Sequence, residues 1–245
     1  MTENKNHWYD GLFYDLFIAP HQDQVFAQVK EILADRSTLL DVGCGTGRLA
    51  SQLLDKCDRI VIIDPSERNI DIARRKLAGV PAEKLLIEHA DALEFIMKTD
   101  FHFDFAIVSY VLHEVREEDR DVLLWRLSGV ADKIIIVDYL VPQPRNYCGL
   151  LNELVEYAAG TEHYRNFKSF VKGNGINGLL EKVPLNVISE VKNRPCSSHI
   201  AVLDGKTGRE REARPVHPGV NSTYYKKDWR NTLWRQTVRE RVFLS

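Results

Sequence analysis

The sequence predicts an α/β chain organised around a doubly wound, mostly parallel seven-stranded sheet with an antiparallel C-terminal strand hairpin. Three observations carry this. Short apolar runs alternate with amphipathic stretches from residue 38 to about 140. A glycine-rich turn, Gly43-Cys44-Gly45-Thr46-Gly47, joins the first run to a helical stretch. Two strand-like runs, 185–191 and 198–203, follow one another with only the turn Asn193-Arg194-Pro195 between them. Buried parallel strands read as near-continuous apolar runs, and consecutive strands without a helix between them form hairpins.

Each element is readable in order. Val25, Phe26, Val29, Ile32 and Leu33 make one apolar stripe, so 22–34 is expected to be a helix entered at Pro20. Leu39-Leu40-Asp41-Val42 is a short strand, and Leu49, Leu53 and Leu54 mark the helix after the glycines. Strands are expected at 59–63, 85–87, 103–108 and 134–137, separated by helices through Ile70, Ala73 and Leu77, then at 92–98 and 117–130. After Pro142 and Pro144 an insertion at about 145–175 has helical character through Leu150, Leu151, Leu154, Val155, Tyr157 and Ala158. Phe167, Phe170 and Val171 begin a further helix, expected to run past Gly173-Asn174-Gly175 to Leu180. The expected organisation is an N-terminal helical lid (1–36), a catalytic domain (37–204) and a basic C-terminal extension (205–245).

Composition narrows the function. The chain has 245 residues, 44% hydrophobic and 28% charged, which is globular and excludes low-complexity classes. The polar opening Met1–His7 predicts no secretory leader, and no apolar run approaches the roughly 18 residues of a membrane span. Cys44, Cys57, Cys148 and Cys196 form no CxxC pair, so reduced thiols and a cytoplasmic location are expected. The eight histidines show no metal-ligand spacing, and no metal is expected. Net charge is −2, but residues 205–245 carry ten basic and four acidic residues, net +6, leaving −8 on residues 1–204. That balance disfavours a general nucleic-acid binder.

The glycine loop sets the chemistry. A strand–Gly turn–helix lets backbone approach a ligand closely beside free N–H groups. The pattern is GxGxG, with Arg48 where a dinucleotide fingerprint wants a small residue. Asp41, two residues before Gly43, is badly placed for a pyrophosphate but well placed to accept from an ammonium group. This segment resembles motif I of the class I S-adenosylmethionine-dependent methyltransferases, of the UbiE-like small-molecule type, and the resemblance continues in order. Ile60–Ser66 looks like the second-strand motif, Ala90-Asp91-Ala92 like the adenine-binding step, and Phe103–His113 like the fourth-strand motif. The resemblance covers about residues 38–140, with the 185–203 hairpin similar to the family's last two strands.

That resemblance implies a Rossmann-like fold, S-adenosylmethionine as cofactor and a small-molecule methyl acceptor. The implied cofactor contacts are Asp41, Gly43, Cys44, Gly45, Gly47, Asp64, Pro65, Asp91, Ala92, Ser109 and Tyr14, with Asp64 on the ribose hydroxyls and Asp91 on the exocyclic amine. The cysteine Cys44 reads as a small filler rather than a nucleophile. On the acceptor rim, Tyr110 and His113 follow the fourth strand, Asp138 follows the fifth, and His163 opens the insertion's polar, aromatic cluster. These four are the candidate catalytic residues, His163 having the intrinsic pKa of a general base. Trp8, Tyr9, Phe13, Tyr14 and Phe17 are expected to form a lid over the cofactor and acceptor, where aromatic faces attract a sulfonium, the alternative being core for a short docking helix. In the tail, Trp234, Val238, Val242 and Leu244 alternate with arginines, which fits a terminal strand with a basic face. An RNA methyltransferase, a non-catalytic S-adenosylmethionine-binding regulator and a nicotinamide oxidoreductase are the alternatives, the last disfavoured by Arg48 and Asp41.

Overall fold

The computed structural model describes residues 19–193 and 198–206. The aromatic N-terminal segment, Tyr14 included, and the basic C-terminal extension from residue 207 lie outside the described residues. The elements run α1 (Ala19–Ile32), β1 (Ser37–Val42), α2 (Arg48–Leu53), β2 (Cys57–Asp64), α3 (Glu67–Lys76), β3 (Leu85–His89), α4 (Ala92–Lys98) and β4 (Phe103–Ser109). They continue through α5 (Glu117–Val130), β5 (Ala131–Tyr139), α6 (Tyr147–Ala158), α7 (Thr161–Lys172), α8 (Gly175–Lys182), β6 (Asn186–Lys192) and β7 (Ser198–Asp204). The sheet order is β3-β2-β1-β4-β5-β7-β6, parallel through β5 and antiparallel at β5–β7 and β7–β6.

Side-chain alternation divides the interior into two layers. Leu40, Val42, Val61, Ile63, Ala106, Val108, Ile134 and Ile136 pack with residues of α4, α5 and α8. Leu39, Ile60, Ile62, Phe105, Ile107, Ile135 and Val137 pack with α1, α2 and α3. Strand residues of period two, apolar on both faces, require helices on both sides. Helix α1 contributes Val25, Phe26 and Val29 to the second layer, its stripe facing where its spacing predicts. Three helix starts carry side-chain caps: Ser66 accepts from the Asn69 N–H, Asp91 from the Glu94 N–H and Asn146 from the Gly149 N–H.

Two features of the insertion go against or beyond the sequence expectation. The stretch 161–182 is not one helix: α7 stops at Lys172, and Asn174 (φ 64°) and Gly175 (φ 58°) turn left-handed before α8 begins. A right-handed helix does not pass through that conformation. The turn also holds Gly175 against β5's exit, where a Cβ would meet Val141 Cγ2 at 2.7 Å. Second, the apolar positions of α6 face outward. Tyr147, Leu150, Leu154 and Tyr157 are exposed, whereas Glu156 on the opposite side is 3% exposed. The carboxylate turns inward because it has partners there, described next.

Candidate active site

The strand order reverses between β1 and β4, which opens a crevice at the carboxyl ends of those strands, where open α/β sheets bind ligands. The glycine loop forms its floor. The Gly43 and Cys44 N–H groups both donate to the Ile63 carbonyl, at 2.9 and 3.0 Å, bending the chain toward β2. Gly43 has φ +69°, and a Cβ there would fall 2.4 Å from Val111 Cγ2. Only glycine takes that conformation in that space.

Among the described residues, two buried polar atoms at adjacent strand tips have no hydrogen-bond partner: Asp41 Oδ2 on β1 and Ser109 Oγ on β4. Asp41 pairs in register with Ile107, two residues before Ser109. Burial, then the charge of neighbouring Asp64, pushes the Asp41 carboxyl up to about 7. An orphaned buried acceptor costs about 1–3 kcal/mol, and an ammonium group supplies the missing donor and charge. The donor set therefore fits the methionine end of S-adenosylmethionine.

The other expected cofactor residues sit as follows. Asp64 is buried, and its oxygens already accept three internal bonds: the Gly45 N–H (2.8 Å), the Ser66 N–H (2.8 Å) and Asn69 Nδ2 (3.3 Å). Burial pushes its carboxyl up despite these donors. Asp64 thus braces the loop, and the lone pairs left over are what a ribose diol would use. Asp91 is exposed and caps α4, beside Ala92 at the helix start. The Pro65 carbonyl contacts His89 Nε2 at 2.9 Å. Cys44 is buried in the core, and burial, then Asp41 and Asp64, drive its thiol far above the ordinary range, as suits an inert filler. Gly47 precedes α2 in left-handed geometry. Arg48, which spoils the dinucleotide fingerprint, instead binds Asp23 of α1 through Nε (3.0 Å) and Nη2 (2.7 Å).

A second cluster lies beyond the turn that follows β4. Tyr110 sits at φ 56° and donates its N–H to the Val137 carbonyl at 2.7 Å. Its ring meets Tyr139 edge-on at 5.7 Å. His113 is 2% exposed, and its Nδ1 lies 2.7 Å from Asp138 Oδ1. Asp138, fully buried, also accepts the His113 N–H (3.2 Å) and the Tyr139 N–H (2.7 Å). Because a carboxylate only accepts, His113 Nδ1 carries the proton and Nε2 points onward. His163 Nε2 is 2.7 Å from Glu156 Oε2, and Tyr139 Oη donates to Glu156 Oε1 at 2.7 Å. Burial pulls the His113 imidazole down, but Asp138 and Glu156 outweigh it and carry it up to about 10. His163 is likewise raised against its burial, first by Glu156 and then by Glu114. The surrounding carboxylates thus favour the charged form of both imidazoles.

The fold thus gathers all four candidate catalytic residues, Tyr110, His113, Asp138 and His163, and adds three that sequence reasoning missed. Glu156 was hidden inside an apolar helical stretch. Glu114 is a half-exposed neighbour of His113. Arg120, 2% exposed, donates to the Leu112 and Val115 carbonyls and through Nη2 to the Asn166 carbonyl and Ser169 Oγ, tying the His113 turn to α7. A charged residue in the buried half of α5 was the available signal for it.

Comparison with known proteins agrees with this fold. A family model described as a methyltransferase domain matches residues 39–132. An uncharacterised methyltransferase of Oceanobacillus iheyensis is 31% identical over 101 residues, covering 41% of this chain and 44% of that protein. One from Geobacillus is 30% identical over 142 residues, covering 54% and 63%. The chain therefore spans only about half to three-fifths of these relatives. Among solved structures, the magnesium protoporphyrin IX methyltransferase of Synechocystis PCC 6803 with bound SAH superposes with a TM-score of 0.57 at 19% identity, covering 80% of this chain and 90% of that one. The fold is that of a Rossmann-like methyltransferase. Residues 39–132 are thus similar in sequence to a methyltransferase domain.

Proposed function

We propose that the protein transfers a methyl group from S-adenosylmethionine to a small-molecule acceptor. The observation that carries this is the buried, partnerless Asp41 oxygen beside the glycine loop, with the orphaned Ser109 hydroxyl at the neighbouring tip. Asp41 would hold the ammonium, the Gly43–Gly47 backbone the methionine chain, Asp64 the ribose and Asp91 the adenine amine. S-adenosylmethionine supplies a methyl already activated on sulfonium. As the acceptor–CH3 bond forms, the S–CH3 bond breaks, its electrons stay on sulfur, and S-adenosylhomocysteine leaves. What the protein adds is alignment and exclusion of water.

The acceptor side is the cluster around His113. Tyr110 and His163 line the rim and contact the acceptor, whereas Asp138 acts through His113 by fixing its ring. A small molecule suits this site because the acceptor groups are enclosed by aromatic rings: Tyr139 and Phe167 lie 4.8 and 6.3 Å from the His113 ring. The Synechocystis enzyme, whose name gives a porphyrin acceptor, supports the same class. The net −8 on residues 1–204 weighs against an RNA acceptor. The unpaired Cys44, Cys57 and Cys148 fit a reducing compartment such as the cytoplasm, and among the described residues no helix is long and apolar enough to cross a membrane.

Calorimetric titration with S-adenosylmethionine, S-adenosylhomocysteine and NADPH tests the reading. Binding of the two sulfur nucleosides without NADPH is the expected result. Binding of NADPH alone, or of none of the three, overturns it.

A further inference from the structure

We propose that His113, Glu114 and His163, with Glu156 completing the shell, form a binding site for one divalent transition-metal ion of the Zn2+ class. The site deepens the acceptor reading above, on which it depends only for what the ion does and not for whether the ion binds.

The donors come from three elements that the fold brings to one point. His113 and Glu114 lie on the turn after β4, Glu156 on α6 and His163 on α7. One ligand atom from each of His113, Glu114 and His163 falls within 4.8 Å of the others. The pairs are His113 Nε2 to Glu114 Oε1 at 3.8 Å, His163 Nε2 to Glu114 Oε1 at 3.6 Å and His113 Nε2 to Glu156 Oε1 at 3.5 Å. Zinc–nitrogen and zinc–oxygen bonds of about 2.0–2.2 Å put neighbouring ligands of a tetrahedral shell about 3.3–3.6 Å apart. These three separations lie at or just above that edge and are long for hydrogen bonds. His163 Nε2 and Glu156 Oε2, 2.7 Å apart, instead hold a hydrogen bond that an ion bound to both would have to open.

His113 provides the independent pointer to a ligand. Its side chain is 3% exposed, and among the described residues Nε2 makes no hydrogen bond although carboxylate oxygens lie on two sides. Its other nitrogen is bound to Asp138, so Nε2 faces the cluster, where an ion would displace its proton and take up the lone pair. A carboxylate behind a histidine is the arrangement that orients metal-binding imidazoles, and Tyr139 Oη steadies Glu156 in the same way. Two imidazoles and two carboxylates suit Zn2+ better than the all-oxygen preference of Mg2+ or Ca2+. Glu114, 49% exposed, gives the ion its entry from solvent.

The linear sequence gives no sign of this, since His113 and His163 are fifty positions apart and Glu156 lies seven before His163. An ion here would stand beside the methyl acceptor and favour one that offers a hydroxyl or thiol, because coordination makes such a group easier to deprotonate.

The test uses the full chain stripped with a chelator, titrated with Zn2+ by calorimetry and with Co2+ by visible absorption. One equivalent of Zn2+ and the intense visible bands of four-coordinate Co2+ are expected. Glu114→Gln, half exposed and therefore safe for folding, and His163→Ala should each weaken Zn2+ at least tenfold and bleach the Co2+ bands. Binding of S-adenosylhomocysteine, measured on the same samples, should stay within twofold. Failure to bind either metal, or variants that bind as tightly as the parent, overturns the site. If S-adenosylhomocysteine also fails on the parent protein, the methyl-transfer reading falls separately.

Discussion

Replacing Asp41 by Asn separates what this carboxylate does for binding from what it costs the fold. Burial and the nearby Asp64 move it from 3.8 to about 7. At 1.36 kcal/mol per pH unit, ionising it inside the ligand-free fold costs about 4 kcal/mol. The folded protein holds this proton after the unfolded chain has released it. Stability therefore declines as pH rises from about 4 through 7, and the loss is complete above about 8. Asn cannot ionise, so the variant lacks that decline. Its amide leaves a buried donor unpaired, a cost of about 1–3 kcal/mol that shifts its curve without tilting it. Urea denaturation at pH 4 to 8 should show the difference between variant and parent moving by about 4 kcal/mol in the variant's favour. At pH 8, S-adenosylmethionine affinity should drop about 10- to 100-fold, the worth of a hydrogen bond between charged groups. At pH 6, cofactor binding to the parent should release a proton, visible as buffer-dependent binding enthalpy. Parallel stability curves for the two proteins would refute the burial argument. Unchanged affinity would refute the ammonium contact.

Three further changes have determined signs. Gly43→Ala should lower stability by about 1–3 kcal/mol, because the added methyl meets Val111 Cγ2 at 2.4 Å on a left-handed backbone; an unchanged urea midpoint would contradict the close approach. Arg120→Met should cost about 3 kcal/mol by stranding the Leu112, Val115 and Asn166 carbonyls, and a loss under 1 kcal/mol would show the clamp to be dispensable. Tyr139→Phe removes the donor at 2.7 Å to Glu156 and should cost about 1–3 kcal/mol without altering S-adenosylhomocysteine affinity; a weakened nucleoside complex would mean that the two clusters are coupled.

What could be read from the sequence followed from local periodicity. Ile134 and Ile136 face one layer and Ile135 and Val137 the other, and a run apolar on both faces announces a buried parallel strand before any partner is known. Asp41 was legible for the same reason: a charge inside such a run demands an explanation. Glu156 was not, because its neighbours Val155, Tyr157 and Ala158 suggested an ordinary apolar face, and only tertiary contacts with Tyr139 and His163 turn the acid inward. The break between α7 and α8 was written in Gly173-Asn174-Gly175 and was misread, since glycine permits a left-handed turn without requiring one. Asp64 was expected as a cofactor contact from its strand-end position, but its bonds to Gly45, Ser66 and Asn69 join groups whose approach depends on how the loop closes.

On the proposed function, the turn 109–114 is what joins the two clusters into one site. Ser109 ends β4 with its hydroxyl at the cofactor crevice, Val111 fills the space that Gly43 leaves, and His113 reaches back to Asp138 on the next strand. Six residues thus contact the glycine loop on one side and the histidine cluster on the other. Arg120 anchors the same turn from behind through the Leu112 and Val115 carbonyls. Tyr110 holds a left-handed backbone there, a strain that persists only where surrounding contacts over-determine it. A shift of the loop at Gly43 must displace Val111, and Val111 is two residues from His113. On that proposal, alignment of donor and acceptor would rest on this turn's rigidity. Changes at Gly43 or Arg120 should therefore disturb methyl transfer more than their distance from the acceptor would imply.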